Sequence, residues 1–197
     1  MKPRNRPARF AASLAATLML ALFIAAPATA ATEIDGVRFA DSVTIDDTIV
    51  PLRAGRLYRY TIFRVYVGAL YAPEDVAPED VLTAAVPKRL ELEYLRAISA
   101  DDFRKSGNSL LEDQQDAETL AALADRLNTF NAAYRDMEAG DRYALEYRPG
   151  HGTRLLQNGT PLVEVPGHDF AEAYFGIWLH PEAPLSRRFR DTLIGQR

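Results

Sequence analysis

The twelve residues Tyr60–Tyr71 (YTIFRVYVGALY) constrain the fold more than any other stretch. Aromatic and β-branched side chains fill the segment and Arg64 is its one charge, a composition that suits a pleated, buried surface. A strand with one wet face alternates apolar and polar residues. This one is apolar on both faces, so it is expected centrally in a sheet with cover above and below. Gly68 inside it marks a bulge or a close approach by another element.

The remaining segments supply the partners. Residues 32–40 and 42–52 read as a β-hairpin region with a turn at Asp46-Asp47. Residues 89–95 alternate, with Leu90, Leu92 and Tyr94 on one face and Arg89, Glu91 and Glu93 on a face expected to be wet. Pro78-Glu79-Asp80 opens a short helical turn, and Ser99 to Asp102 has the spacing of a capping box that starts a helix running to about Leu111. Leu120, Leu123, Ala124, Leu127, Phe130 and Tyr134 form one stripe of a second helix. Residues 141–148 alternate again, and Asn158-Gly159 joins strands 153–157 and 161–165, since both turn residues tolerate positive φ. Residues 170–179 are apolar nearly all round, which predicts a buried helix, and 184–194 read as a last amphipathic helix. Strands, then helices, then strands, then helices is an α+β order, satisfied by a mostly antiparallel sheet with helices on one face and an apolar cleft between them.

The N-terminus carries a different signal. Lys2, Arg4, Arg6 and Arg9 make a positive head, and Phe10 to Ala26 is apolar except for Ser13 and Thr17. Pro27 and the small residues Ala28-Thr29-Ala30 complete a signal-peptide pattern with cleavage at Ala30/Ala31. A membrane anchor is the competing reading, because 17 residues lie near the lower limit for spanning a bilayer. The small-residue site decides for cleavage, hence for residues 1–30 as a leader, 31–197 as one domain, and a periplasmic or secreted location. No integral membrane segment is expected after cleavage. Residues 31–197 hold 19 basic and 27 acidic residues, a net charge of −8 with histidine neutral, which makes the domain a poor candidate for nucleic acid or anionic lipid surfaces. The absence of cysteine removes disulfides, thiol catalysis and cysteine metal sites.

Catalytic signatures are thin. His151, His168 and His180 stand in turns or at helix ends without ligand spacing, so no metal site is expected. No serine sits in a G-x-S-x-G elbow, and neither a P-loop nor G-x-G-x-x-G occurs. What remains is nine tyrosines and the arginines Arg56, Arg59, Arg64 and Arg96 beside strand segments. These fit either a sheet core with wet hydroxyl ends or a ligand pocket with aromatic walls and a guanidinium for an anionic head.

The stretches LRAGRLYRYTIFRVYVGALYAP (52–73), PKRLELEYLRAISADDF (87–103), FNAAYRDMEAGD (130–141), YRPGHGTRLLQNG (147–159) and FGIWL (175–179), in this order, resemble the bacterial chalcone isomerase-like family. The resemblance implies an open-faced β-sandwich, a large antiparallel sheet with helices layered on it. It also implies one of two activities without a cofactor: ring closure by an intramolecular lyase, or fatty-acid binding without chemistry. The position of the family's functional arginine falls on Tyr58 here, with Arg56 and Arg59 as the nearest substitutes, and neighbouring strand residues point to opposite faces. Tyr66 stands where the isomerases carry threonine and the fatty-acid binders tyrosine. Arg96 matches an arginine before the capped helix. The isomerases' later tyrosine and asparagine lack counterparts in residues 120–131. The resemblance therefore implies a non-catalytic binder of a fatty acid or similar amphipathic molecule, with Arg56, Tyr58, Arg59, Tyr66 and Arg96 as candidate ligand-binding residues. An intramolecular lyase and a cell-envelope assembly factor are the alternatives.

Overall fold

The computed structural model describes residues 30–196. The expected leader lies outside the described residues, apart from Ala30. Strands β1 (Ala31–Ile34) and β2 (Val37–Ala40) form a separate two-stranded sheet. Seven further strands follow: β3 (Ser42–Ile45), β4 (Thr48–Tyr60), β5 (Phe63–Tyr71), β6 (Lys88–Tyr94), β7 (Arg142–Arg148), β8 (Gly152–Gln157) and β9 (Thr160–Val165). They make one antiparallel meander in which every strand pairs with its sequence neighbours. Helices α1 (Ala100–Gln114) and α2 (Ala117–Ala132) fall between β6 and β7, and α3 (His168–Leu179) and α4 (Arg187–Ile194) close the chain. The α+β class and the helices layered on one face agree with the sequence.

The central strand is β5, and it is covered on both sides. Tyr66 and Leu70 enter the large core beneath the helices. Val67, Ala69 and Tyr71 enter a second core with Val37, Phe39, Ile45 and Val50, roofed by the β1–β2 hairpin. The strand begins at Phe63 rather than Tyr60, because Thr61-Ile62 turns the chain back along β4. Neither is a habitual turn residue, and Thr61 adopts φ 54°, so nothing in the sequence marked the reversal. The segment 32–52 is likewise two hairpins, with turns at Asp35-Gly36 and Asp46-Asp47. Gly68 marks a close approach: a Cβ there would stand 2.6 Å from Phe189 Cζ, so its absence lets α4 lie against the sheet.

Caps place the helices as their sequences require. Ser99 Oγ accepts from Asp102 N (3.1 Å), Asp116 from Thr119 N (2.7 Å) and Ser186 Oγ from Phe189 N (3.3 Å), each satisfying an otherwise orphaned N–H. Helix α1 runs past Leu111 to Gln114, and α4 starts at Arg187, later than the expected Pro184, because Ser186 is the cap. The Asn158-Gly159 turn has positive φ at both residues (49° and 81°), as the hairpin signal predicts.

The face of β6 expected to be wet is not. Glu91 and Glu93 bond Arg142 from β7 (Nη1 to Glu91 Oε1 2.7 Å, Nε to Glu93 Oε2 2.8 Å), and Arg154 on β8 donates to Glu146 at 2.6 Å. The Arg142 guanidinium also lies 4.9 Å from the centroid of the Phe39 ring in the covering hairpin. Period-two alternation distinguishes charged from apolar faces, but it does not show that a charged face is roofed by paired neighbours.

Lys88 is the other departure, a lysine with no exposed surface on the helix-side face of β6. Its Nζ donates to the carbonyls of Val81 (2.7 Å), Leu82 (2.6 Å) and Ala84 (2.9 Å), pinning the 81–84 segment to the sheet. Burial pushes its pKa down to about 8, from an ordinary value of 10.5. With the folded pKa below the unfolded one, the unfolded chain binds more protons between pH 8 and 10.5. Stability therefore rises with pH across that window, and the full penalty of the buried ammonium is present below it. Urea midpoints of the natural chain are expected to climb between pH 8 and about 10, beyond which tyrosine ionisation opposes the trend. The Lys88→Met variant is expected to be less stable at pH 7, its three carbonyls unpaired, and flat across the same window. A midpoint that falls with pH from 8 in the natural chain contradicts this reading.

Candidate functional site

Between the sheet and two of the helices lies an apolar cavity of about 550 Å³, inside the range of roughly 300–1,000 Å³ typical of small-molecule pockets. Its sheet wall comes from alternate positions on adjacent strands: Tyr58 and Tyr60 of β4, Val65 and Tyr66 of β5, Leu90, Leu92 and Tyr94 of β6, Tyr143 and Leu145 of β7, and Leu155 of β8. A register shift pairs Tyr58 with Tyr66 but Arg59 with Arg64, leaving Val65 as an extra residue. That bulge lets the consecutive residues Val65 and Tyr66 both line the cavity. The helical wall is Phe103, Ser106, Gly107 and Leu110 of α1 with Tyr174, Ile177 and Trp178 of α3. Helix α2, expected to share this wall, contributes no lining residue within its span; Tyr134, just past its end, does. The buried helix α3 takes its place.

The rings brace one another. Tyr58 stacks on Tyr66 at 4.9 Å, Phe103 stacks on Tyr134 at 5.3 Å, and Tyr94 meets Tyr66 and Phe103 edge-on at 5.6 and 5.1 Å. Each such pair contributes about 0.5–1.5 kcal/mol beyond its buried area. Most of the hydroxyls are engaged. Tyr143 Oη donates to Arg135 O (2.9 Å) and accepts from Arg135 N (2.8 Å), Tyr134 and Tyr174 share a 2.6 Å bond, and Tyr66 Oη accepts from Trp178 Nε1 at 3.1 Å. The Tyr66 hydroxyl keeps its own proton to donate, and Tyr94 Oη has no partner among the described residues.

Burial raises the pKa of Tyr58, Tyr66, Tyr94, Tyr134, Tyr143 and Tyr174, because each phenolate would lose its hydration. All six stay neutral at physiological pH. The charged residues on the wall are Arg96 and Asp102, both exposed at its rim. Arg96 lies over the ring of Phe63 at 5.4 Å, and Asp102 is held by its Ser99 cap partner at 2.8 Å.

The sequence-predicted residues divide. Tyr58, Tyr66 and Arg96 line the cavity together. Arg56 and Arg59, expected at its mouth, do not. They line a second, polar hollow with Asp35, Leu57, Ser186 and Arg188, which meets the first at Tyr58. Arg59 points away because it neighbours Tyr58 on a strand. Arg56 shares the face of Tyr58, but α4 intervenes, and its Nη1 donates to Thr192 Oγ1 at 3.1 Å. His180 Nδ1 accepts from Glu182 N and Ala183 N, His168 Nε2 meets Thr83 O at 2.9 Å, and His151 is exposed in the turn between β7 and β8. Among the described residues no group of acidic and histidine side chains could hold a metal ion. Phe103, Gly107, Leu110, Tyr174 and Trp178 escaped sequence reasoning. The signal was present in α1, where Phe103, Gly107 and Leu110 fall on one stripe with a glycine at its centre.

An antiparallel sheet and a helical layer enclose an apolar cavity walled mainly by aromatic rings. The chain belongs to the chalcone isomerase-like family, whose model matches residues 31–195. Its fold is similar to that of the Arabidopsis thaliana fatty-acid binding protein AtFAP1, with a TM-score of 0.60 and 14% sequence identity over 81% of this chain and 92% of that one. A sequence search of curated proteins finds no match.

The shared Tyr134–Tyr174 bond gives the cavity floor a measurable stiffness. Tyr134→Phe and Tyr174→Phe are each expected to lower stability by about 1 kcal/mol in urea denaturation, and the double variant by little more than either alone. Additive losses would show that the two hydroxyls act independently.

Proposed function

We propose that this protein is an exported, non-catalytic carrier that holds a fatty acid or a similar amphipathic molecule in the cavity, with the acyl chain along the aromatic walls and the anionic head at Arg96. The observation that carries the reading is the cavity itself, with an apolar lining, neutral hydroxyls and a single guanidinium at the rim. Each methylene moved from water onto that wall contributes about 0.8 kcal/mol. The fatty-acid binding of the structural neighbour AtFAP1 supports the same ligand class. Tyr66 donates its remaining proton to the ligand head beside Arg96, and Tyr58 screens the head from the second hollow. Export, with release of residues 1–30 into a periplasmic or secreted location, is part of the proposal. It is supported by the leader pattern of residues 1–30.

Calorimetric titration of the delipidated protein with a long-chain fatty acid and with its methyl ester tests the assignment. A Cβ at Gly107 would sit in ordinary van der Waals contact with Tyr174 Oη at 3.7 Å and Ile177 Cδ1 at 4.0 Å. Gly107→Ala is therefore expected to bind normally and to gain stability, since glycine inside a helix costs about 0.5–1 kcal/mol. Gly107→Phe is expected to remain folded and to lose binding of both ligands. Arg96→Gln is expected to weaken the acid roughly twofold to fivefold and leave the ester unchanged, the size suited to an exposed ion pair. Undiminished binding by Gly107→Phe would place the ligand elsewhere.

A further inference from the structure

The tip of the β4–β5 hairpin is built against the habits of the other hairpins in the molecule. Those turn through Asp35-Gly36, Asp46-Asp47, Pro149-Gly150-His151 and Asn158-Gly159, habitual turn residues with glycine or a polar residue at the positive-φ positions. This one turns through Thr61-Ile62, with β-branched Thr61 at φ 54°, a strained conformation for such a side chain. The result is exposure. Ile62 is 81% exposed, Tyr60 65% and Phe63 52%, three of the four large hydrophobic residues that stand in solvent among those described.

The charges around the tip are equally unusual. Arg59 lies directly across from Arg64 in the strand pairing, a like-charge pair that destabilises a sheet unless something offsets it. Arg96 stacks over Phe63 beside them. None of these three arginines has a carboxylate within ion-pair distance among the described residues; Arg64 donates to the main-chain oxygen of Asp35 at 3.0 Å. The acids bordering the region are already engaged: Asp35 accepts from Leu57 N (2.9 Å), and Asp102 is bonded to Ser99. On a chain with net charge −4, this is a local basic collar around an apolar point. Tyr60 and Arg96 also line the cavity rim, so the point stands at the cavity mouth.

We propose that the 60–63 tip docks on the surface of an anionic lipid bilayer, with Ile62 and Phe63 entering the interface, Tyr60 at headgroup level and Arg59, Arg64 and Arg96 meeting lipid phosphates. Aromatic rings favour that depth, and each arginine near an anionic surface adds to binding. The strained turn and the like-charge pair are then offset by the partner rather than within the fold. Docking sets the cavity mouth against the membrane, where an amphipathic ligand enters or leaves without crossing water. The docking does not require the cavity to be filled, so its test is separate from ligand binding.

The chain has no cysteine, so Ile62→Cys gives a single labelling site on an exposed residue. The full chain carrying an environment-sensitive dye at position 62 is mixed with phosphatidylglycerol vesicles or phosphatidylcholine vesicles, and the dye emission is read. A blue shift with phosphatidylglycerol, reduced by salt and weak with phosphatidylcholine, is the expected result. The same label introduced through Asp113→Cys, in the last turn of α1, is expected to stay unshifted. Adding Arg59→Gln and Arg64→Gln is expected to raise the lipid concentration for half-response roughly tenfold or more. The readout is local to the tip, so attachment through another segment without tip insertion leaves the dye unshifted. An unshifted dye overturns the proposal, as does an equal response to both lipids. A shift that grows with protein concentration in the absence of vesicles also overturns it, because a second copy would then be the partner.

Discussion

Strand β5 has to be covered on both faces, and the rest of the molecule is arranged around that requirement. Val67, Ala69 and Tyr71 on one side and Tyr66 and Leu70 on the other are each nearly or wholly buried. The β1–β2 hairpin supplies one cover and the helical layer the other. The two covers differ in quality. The hairpin side is closed by ring packing and by the ladder of arginine and glutamate on β6, β7 and β8. On the helical side Phe189 of α4 presses onto Gly68 and meets Tyr58 and Tyr66 edge-on. Between the sheet and helices α1 and α3 a space remains, and that space is the cavity.

The cavity persists because its walls are stiff. A void lined by flexible aliphatic chains would shrink by rearrangement, whereas interlocked rings have few rotamers to offer. The hydroxyls of Tyr66, Tyr134, Tyr143 and Tyr174 are held by Trp178, by the Arg135 backbone or by one another, which fixes the rings that carry them. Burial keeps these phenols neutral. The interior therefore presents ring faces and uncharged hydroxyls to whatever occupies it.

Much of the architecture was legible in the sequence, and the misses have physical causes. The capping serines, the Asn158-Gly159 turn and the 3.6-residue stripe of α2 act through local rules and appear where those rules place them. The hairpin tip at Thr61-Ile62 was hidden because its residues do not favour the conformation they adopt. The roofed charge ladder was hidden because pairing between strands far apart in the chain leaves no trace in one strand's alternation. Of the residues singled out in the sequence, Tyr58, Tyr66 and Arg96 line one cavity. Arg56 and Arg59 were assigned to the same mouth, but the position of α4, a tertiary fact, separates Arg56 from the cavity and strand alternation turns Arg59 away. Tyr174 and Trp178 were passed over because a helix apolar on every side gives no hint of which side meets a cavity.

The central claim is that the space between β4–β8 and helices α1 and α3 receives an acyl chain. A crystal structure of the protein soaked with a long-chain fatty acid tests it most directly. The account predicts continuous density along Tyr58, Tyr94, Leu155 and Ile177, with the carboxylate near Arg96 and Tyr66. An empty cavity with the fatty acid bound in the polar hollow at Arg56 and Arg59, or bound nowhere, would contradict it.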